Sequence, residues 1–326
     1  MQAVYYERFG DAEDVLIHGT LPDRSPGPGE VRVLVKASGV NPSDVKLRAG
    51  ARPGATMAFP QIVPNSDGAG VIEAVGEGVD PNRIGQRVWI WNGQWNRAFG
   101  TAASVIVLPA VQAVPLPDGT SFEEGACLGI PAMTAWYALF GDGQNLAGKT
   151  VLVTGGAGTV GRYAIQMARL AGARVLTTVS SEAKARHSTA ENWINYRGDD
   201  VEAQIMDLTD GQGVDRIVDV DFGVNQATSL AVIKEGGTIS AYASAGDMAP
   251  TLQFYPFMFR NVTLRMLIAY LISAEDHQRG EAAITAWLEA GELSHAVVPG
   301  GGLKDMARAH KLVEDGDKLG TVVVSI

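Results

Sequence analysis

Hydrophobic and polar residues alternate in short stretches over the first third of the chain. Positions 31–35 (Val-Arg-Val-Leu-Val) follow the two-residue period of a half-buried β-strand, and apolar stretches at 68–76, 86–91 and 104–108 predict three further strands. Prolines and glycines separate these stretches at short intervals, which is typical of a small, irregular barrel. We therefore predict a β-rich first domain.

The spacing of apolar residues changes at about residue 122. Strand-like and helix-like segments then alternate up to about residue 250, which is the βαβ pattern of a parallel sheet. The remaining residues show helical spacing at 281–288 and 303–314, and a strand at 320–326. The predicted fold class is α/β, with a β-barrel domain and a doubly wound parallel-sheet domain.

Composition narrows the classes of function. With 326 residues, 46% of them hydrophobic, the chain is long enough for two domains with large cores. Its 26 basic and 36 acidic residues give a net charge of −10, which disfavours nucleic acid and anionic membranes as partners.

Cys127 is the single cysteine, which excludes a disulfide framework. The start lacks an apolar leader and the most apolar stretch, 266–272, is too short to span a bilayer, so we expect a soluble, cytoplasmic protein.

The strongest local signal is a glycine-rich turn between a strand and a helix. An apolar strand at 150–154 leads into Gly156-x-Gly158-x-x-Gly161, then a helical pattern and a second strand at 173–179. A structural glycine turn is the alternative interpretation. The complete β-turn-α-β unit favours a dinucleotide-binding site.

Each part of this turn has a predicted role. Gly156 allows the tight turn, Gly158 lets a pyrophosphate approach bare backbone, and Gly161 lets the helix pack closely on the sheet. The first amides of the helix, at Thr159 and Val160, would bind the phosphates with the help of the helix dipole.

The end of the second strand distinguishes the two nicotinamide cofactors. NAD sites usually hold Asp or Glu there, to bind the ribose 2′-hydroxyl. This chain has Ser180 and Ser181, followed by Lys184 and Arg186, whereas Glu182 lies past the usual position. Hydroxyls and cations suit a 2′-phosphate, so we predict NADPH. The alternative for Lys184 is a solvated helix surface.

Beyond this unit, nearly the whole chain resembles the medium-chain dehydrogenase/reductase superfamily, and within it the zinc-free NADPH:quinone oxidoreductases related to zeta-crystallin. The matching blocks are 38–44 (Ser-Gly-Val-Asn-Pro-Ser-Asp), 67–76, 85–88, the glycine turn, 194–197 and 307–310. The resemblance implies a GroES-like substrate domain made of residues 1–122 and 265–326, and an inserted Rossmann domain over residues 123–264.

The resemblance also indicates which residues would have to bind a catalytic zinc ion. Zinc-dependent members carry ligands where this chain has Asn41, Ser66-Asp67 and, by position, Ile130. Of these residues Asp67 alone could ligate, whereas a catalytic zinc needs three protein ligands and a water. We predict no metal. The Tyr-x-x-x-Lys sequence of short-chain dehydrogenases is absent too, which excludes that class.

Without a Lewis acid, oxidation of an alcohol is difficult, whereas an electron-poor acceptor takes hydride directly from the cofactor. We predict hydride transfer from NADPH to a small-molecule quinone. Two alternatives stay open: reduction of α,β-unsaturated carbonyls (enones or alkenals), and a non-catalytic NADPH-binding role like that of a lens crystallin.

The resemblance implies four candidates for the acceptor site. Asn41 could donate from its amide, or cap the following turn. Lys46 stands where relatives often have tyrosine, and could bind an oxyanion or be a surface lysine. Trp91 or Asn92 would lie near the reacting carbon; the alternative for the tryptophan is the barrel core. Thr134 would face the cofactor, or bond back to its own helix.

Two loop residues and one apolar stretch complete the predictions. The resemblance implies that Tyr196 lies on the adenine side of the cofactor and Ser244 near its phosphate or ribose; ordinary loop residues are the alternative. The apolar stretch 254–272 predicts a homodimer, since the family often dimerises by pairing such strands. The alternative interpretation is that this stretch belongs to the hydrophobic core of a single chain.

Overall fold

The computed structural model describes residues 1–51, 54–198 and 200–326. The chain divides into two compact units: a barrel unit, Met1–Ile130 with Glu281–Ile326, and a sheet unit, Pro131–Gly280. The predicted domain limits at 122/123 and 264/265 remain a proposal. None of the helices within the described ranges is long and apolar enough to cross a membrane.

The strands, in chain order, are β1 (Gln2–Tyr5), β2 (Ile17–Thr20), β3 (Glu30–Val40), β4 (Asp67–Val75), β5 (Arg87–Ile90), β6 (Val105–Pro109), β7 (Ala113–Pro115), β8 (Thr150–Thr154), β9 (Arg174–Val179), β10 (Asn192–Asn195), β11 (Val214–Asp219), β12 (Ile233–Ala241), β13 (Thr263–Met266), β14 (Val297–Gly302) and β15 (Thr321–Ser325).

The helices are α1 (Ala12–Val15), α2 (Pro42–Ala49), α3 (Phe122–Gly125), α4 (Gly129–Phe140), α5 (Thr159–Leu170), α6 (Glu182–Ser188), α7 (Val201–Leu208), α8 (Phe222–Val232), α9 (Phe254–Phe259), α10 (Ala274–Glu289) and α11 (Met306–Glu314). The helical spacing at 281–288 lies inside α10, and that at 303–314 comprises a short 3₁₀ turn followed by α11.

The barrel unit is built on a sheet of order β14-β15-β3-β4-β5-β7, with β6 also paired to β3. The predicted alternation in β3 is confirmed, because Val31, Val33 and Val35 are at most 1% exposed and pack in one core with Ile72 and Ile106. Strand β15 pairs antiparallel with β3, so the last part of the chain returns to the sheet formed by its first part.

The sheet unit contains a six-stranded parallel sheet of order β10-β9-β8-β11-β12-β13. The chain starts in the middle at β8, moves outward to β10, and then crosses to β11 on the other side. This is the doubly wound order, in which ligands bind at the carboxyl ends of the strands beside the first strand. Leu152, Leu176, Ile217 and Ile239 fill its core. The predicted fold class is confirmed.

Candidate functional site

The glycine turn lies at the carboxyl end of β8, next to the reversal of strand order. Gly155 makes the left-handed turn, with a φ of +70°. Gly156, which the sequence predicts to allow the tight turn, is the next residue of that turn. The amides of Gly155 and Gly156 both donate to the carbonyl oxygen of Thr178, at 3.1 and 3.2 Å, which ties the turn to the end of β9.

The three glycines of the motif face different surroundings. A Cβ atom on Gly156 would overlap Oγ1 of Thr177 on β9, and one on Gly161 would lie 2.5 Å from the carbonyl oxygen of Gly155. The two positions therefore need glycine for packing. Gly158 is exposed, and the nearest atom to a Cβ there is the Gly155 oxygen at 3.3 Å, so its free face is open to a ligand.

The helix that follows the turn has a free N-terminus. Gly158 is the N-cap of α5 and provides no side-chain cap. The first helical hydrogen bond runs from the Arg162 amide to the Gly158 carbonyl, at 2.9 Å. Within the described ranges, no acceptor is bound to the amides of Thr159, Val160 and Gly161. Three free amides at the positive end of a helix dipole form a site for phosphate.

The end of β9 carries hydroxyls and a cation. Ser180 is buried, and Ser181 caps α6 by accepting a hydrogen bond from the Lys184 amide at 3.3 Å. Arg186 forms an exposed ion pair of 2.6 Å with Glu182. The ammonium group of Lys184, in contrast, has no ion-pair partner among the described residues. Glu182, the carboxylate closest to Lys184 in the sequence, is thus already paired, and Lys184 is available to an anion.

Tyr196 lies at the same edge of the sheet. Its amide donates to the Val179 carbonyl at 3.0 Å, and its side chain is 50% exposed. Strand β10 runs parallel to β9, so its last residue, Asn195, stands beside Val179. Tyr196 therefore follows directly at the edge that carries the two serines.

Ser244 has a local role in the loop after β12. Its hydroxyl accepts a hydrogen bond from the Gly223 amide at 3.0 Å and donates to the Asp247 carbonyl. These bonds join the start of α8 to residues 244–247. The predicted position of Ser244 near the phosphate or ribose of the cofactor stays a prediction.

Sequence reasoning missed Asp219, a fully buried carboxylate at the end of β11. It accepts hydrogen bonds from the Thr154 hydroxyl at 3.0 Å, the Asp221 amide at 3.0 Å and the Asn225 amide group at 2.7 Å. Asp219 thereby joins the ends of β8 and β11 beside the glycine turn. The signal in the sequence that could have identified Asp219 was an acidic residue at the end of a strand.

The barrel unit holds a buried cluster of polar side chains around Asn41. Asn41 Nδ2 donates to Asp67 Oδ2 at 2.7 Å, and the Asn41 backbone amide donates to Asp44 Oδ2 at 2.8 Å. The Ile130 amide, in the first turn of α4, donates to both oxygens of Asp67 at 2.9 and 2.8 Å. The amide group of Asn41 thus binds Asp67, and the Asp44 side chain caps the Asn41 backbone amide at the start of α2.

Burial changes the acidity of this pair. Desolvation raises the pKa of Asp44 to about 7, against the lowering effect of hydrogen bonds from Asn41 and Ser66. Desolvation, and then the nearby charge of Asp44, raise the pKa of Asp67 well above its usual range. Both carboxyl groups therefore hold a proton more tightly than a surface aspartate does.

The other candidates for the acceptor site differ in burial and in bonding. Lys46 is exposed on α2, as its alternative interpretation predicts. Trp91 is half-buried; its carbonyl accepts a hydrogen bond from Gln112 Nε2 at 3.0 Å, and its side chain binds the carboxyl group of Glu281. Thr134 is 4% exposed on α4, and its hydroxyl has no bond to its own helix or to other described residues. The back-bonded alternative for Thr134 is therefore not observed.

Two further titratable groups complete the barrel unit. Glu281 was not found from the sequence; burial raises its pKa to about 7, and the bond from Trp91 opposes this rise. Cys127 is buried, donates to the Glu123 carbonyl at 3.3 Å, and has its pKa raised to about 12, chiefly by desolvation. A buried thiol with a raised pKa is a poor nucleophile.

Two family models match this chain. The model of the alcohol dehydrogenase GroES-like domain matches residues 27–118, and that of the zinc-binding dehydrogenase matches residues 159–285. The quinone oxidoreductase of Rattus norvegicus is 28% identical, over 99% of this chain and 97% of that protein. A phenolphthiocerol/phthiocerol polyketide synthase of Mycobacterium tuberculosis is 30% identical over 92% of this chain, which spans 14% of that protein's length.

Three solved structures are similar to this chain in both sequence and fold. An NAD-dependent alcohol dehydrogenase is 30% identical with a TM-score of 0.90, and each chain is covered completely. A mycobacterial protein complexed with NADPH is 28% identical, with a TM-score of 0.85 and both chains covered completely. A 2-haloacrylate reductase is 27% identical, with a TM-score of 0.86 over 100% of this chain and 99% of that one.

The zinc named by one family model does not fit the residues present here. The described part of the chain contains no group of three or more His, Cys, Asp or Glu that could hold a metal ion. Asn41 and Ser66 stand where the zinc-dependent members carry ligands, and both oxygens of Asp67 already accept hydrogen bonds. No chemical step is therefore assigned to a metal.

Proposed function

Because this chain belongs to the medium-chain dehydrogenase/reductase superfamily, we propose that it is an NADPH-dependent oxidoreductase that transfers hydride to a quinone. The observation that carries the proposal is the open face of Gly158 in front of three free helix amides. This arrangement suits a dinucleotide diphosphate. The solved relative that holds NADPH supports the same cofactor.

The residues at the end of β9 favour NADPH over NADH. Ser180, Ser181 and Lys184 offer hydroxyls and a cation to a 2′-phosphate, and Glu182 is neutralised by Arg186. An NAD site would place a carboxylate where the two serines stand. The NAD-dependent relative shares the fold, but the residues at this strand end decide the preference.

The chain's own residues would hold the cofactor at several points. Gly158 and the amides of Thr159, Val160 and Gly161 would bind the diphosphate, and Tyr196 would cover the adenine. In the interior of α4, Thr134 offers a hydroxyl with no bond to a described residue, which suits a contact with the nicotinamide.

When bound, the cofactor supplies hydride, and the protein positions the acceptor and stabilises charge that develops on its oxygen. A quinone suits this chemistry because it accepts hydride without a Lewis acid and spreads the negative charge onto oxygen. No residue of the Asn41 cluster needs to activate an alcohol for this reaction.

Reduction of an activated carbon–carbon double bond is the second candidate function. The 2-haloacrylate reductase among the solved relatives favours it, because that name denotes an activated alkene as substrate. A non-catalytic NADPH-binding role is the third. One experiment separates the three: wild-type protein with NADPH is offered 1,4-benzoquinones, enones and alkenals, and oxidation is followed by the loss of NADPH absorbance.

The expected result is turnover of quinones with the highest kcat/KM. Turnover of enones alone would establish the second function. Binding of NADPH, measured by fluorescence, with no turnover of any acceptor would establish the third. Failure to bind either nicotinamide cofactor would contradict the whole assignment.

The same proposal includes a homodimer in the cytoplasm. Strand β13 ends the order of the sheet, and the side chains around it are apolar and exposed: Phe254 60%, Tyr255 65%, Phe259 78%, Met266 72% and Leu271 73%. A patch of this kind is typical of a surface covered by another chain.

Sedimentation velocity should show a dimer that Phe259→Asp dissociates. Val111→Asp, at a 70% exposed position of the barrel unit, should leave it intact.

A further inference from the structure

The connection after β12, residues 242–253, packs directly onto the start of α8 in the sheet unit. Two glycines allow this contact. A Cβ atom on Gly223 would lie 2.6 Å from the Asp247 carbonyl oxygen, and one on Gly246 would overlap Val224 Cγ2. Neither glycine has a positive φ. The close approach of the two segments, and not a left-handed backbone, is therefore the reason for glycine at both positions.

Hydrogen bonds join the same two segments. The Phe222 amide donates to the Ala243 carbonyl at 3.0 Å. The Gly246 amide donates to both carboxylate oxygens of Asp221, at 3.1 and 3.0 Å. A hydrogen bond to an ionised carboxylate is stronger than one between neutral groups. The side chain of Asp221, the N-cap residue of α8, thus holds the connection after β12 against that helix.

Asp221 is itself tied to the end of β8. Its backbone amide donates to Asp219 Oδ1 at 3.0 Å, and the same oxygen accepts a hydrogen bond from the Thr154 hydroxyl at 3.0 Å. Thr154 directly precedes Gly155, where the glycine turn begins. A continuous set of hydrogen bonds therefore runs from the end of β8, through Asp219 and Asp221, to Gly246.

The order of the strands relates this set of bonds to one half of the cofactor. In a doubly wound sheet, a dinucleotide lies across the carboxyl ends of the strands, with one mononucleotide on each side of the diphosphate. Ser180, Ser181 and Lys184, proposed above for the 2′-phosphate of the adenosine half, follow β9 on one side of β8. Strands β11 and β12 lie on the other side of β8, so the segments that follow them face the nicotinamide half.

We propose that Asp221 is a positioning residue for the nicotinamide half of NADPH. This inference rests on the proposed function and names a residue that serves its cofactor site. The Asp221 carboxylate holds the connection after β12 through the Gly246 amide, and that connection supports the nicotinamide ring. Because hydride transfer requires alignment of the reacting atoms, a displacement of about 1 Å can slow it on the order of 10²-fold. The adenosine half, bound beside β9, does not depend on Asp221.

The test compares two ligands that share the adenosine half. NADPH occupies both halves of the site, whereas 2′,5′-ADP lacks the nicotinamide and occupies one. Asp221→Ala should raise the Kd of NADPH about tenfold and leave the Kd of 2′,5′-ADP within about twofold of the wild-type value. With saturating NADPH and a quinone, kcat should fall roughly 10- to 100-fold. The matched control is Glu235→Ala, an exposed acidic position near the start of β12, which should change none of these values.

Asp221→Asn separates the hydrogen bond from the charge. Asparagine keeps an oxygen that accepts from the Gly246 amide, so NADPH affinity and kcat should stay within about threefold of wild type. Equal losses of affinity for NADPH and 2′,5′-ADP in Asp221→Ala would overturn the inference. The same holds if Asp221→Asn is as impaired as Asp221→Ala.

Failure of the proposed function gives a different result. Wild-type protein that binds neither nicotinamide cofactor contradicts that function, and this is visible before any variant is made. If wild-type protein binds NADPH but reduces no acceptor, the assignment as a reductase fails, whereas the Kd values of NADPH and 2′,5′-ADP still decide the role of Asp221.

Discussion

Asn41 Nδ2 and Asp67 Oδ2 form a hydrogen bond of 2.7 Å between two side chains that are 2% and 0% exposed. Strands β3 and β4 bring them together, because Gly39 lies opposite Asp67 in the antiparallel pair and Asn41 follows two residues later. The bond occupies the place where zinc-dependent members of the superfamily carry ligands. Here the same place stabilises the barrel unit and holds the first turn of α4.

Asn41→Ala should therefore destabilise the protein. The change leaves a buried oxygen of Asp67 without one of its donors, which costs about 1–3 kcal/mol. Urea unfolding measures this loss as a lower midpoint. Asn82→Ala removes an exposed side chain and should leave the midpoint unchanged. Equal midpoints for Asn41→Ala and wild type would show that the bond contributes nothing.

Stability should fall as the pH rises from about 4 to about 7. Unfolded Asp44 loses its proton near its ordinary pKa of 3.8, whereas the folded group keeps the proton up to about 7. The stabilisation is thus complete below the lower pKa and is lost as the pH passes the higher one, with a size on the order of a few kcal/mol.

The variant Asp44→Asn removes this titration together with the charge that helps to raise the pKa of Asp67, and it leaves Glu281, whose pKa is also raised to about 7, intact. Unfolding midpoints measured at about pH 5 and about pH 8 should differ less in the variant than in the wild type. An undiminished pH dependence would assign the titration to another group.

Gly158→Val should abolish NADPH binding without loss of stability. The backbone of Gly158, at a φ of −73° and ψ of 164°, accepts any residue, and its side chain would project toward the predicted diphosphate. Gly156→Ala should behave differently, since its Cβ would overlap Thr177 and overpacking costs about 1–3 kcal/mol. Fluorescence titration and thermal unfolding of both variants distinguish ligand contact from packing.

Lys184→Ala should weaken NADPH binding about tenfold and leave NADH binding nearly unchanged, because a hydrogen bond to a charged group contributes roughly 1.5–3 kcal/mol. Arg186→Ala is the matched control, since Arg186 already pairs with Glu182. Equal losses of affinity for both nucleotides in Lys184→Ala would remove Lys184 from the 2′-phosphate.

The parts of the fold that the sequence predicts best are those with a local period. The alternation in β3 and the strand-turn-helix unit from β8 to β9 are found close to the predicted residues. The bond between Asn41 and Asp67 could not be predicted, because it joins residues 26 apart through the register of two strands. The left-handed conformation at Gly155 could not be placed from the sequence, because four glycines among residues 155–161 fit the same pattern.

The residues of the candidate site can also be divided into those that a local sequence pattern predicts and those that it does not. The glycine motif predicts Gly158, and the position after the second strand of the unit predicts Ser181 and Lys184. Glu281 is not predicted in this way, because it owes its character to burial and to Trp91, a partner that lies far away in the chain.

The position of β15 between β14 and β3 constrains the order of events during biosynthesis. Residues 131–280 form an uninterrupted unit and can fold as soon as they leave the ribosome. Residues 37–40 of β3 gain a partner on one side only when residues 321–325 are made, so this part of the strand edge is uncovered in the meantime. The segment of the nascent chain that was synthesised early is therefore the one left open longest to unwanted strand pairing.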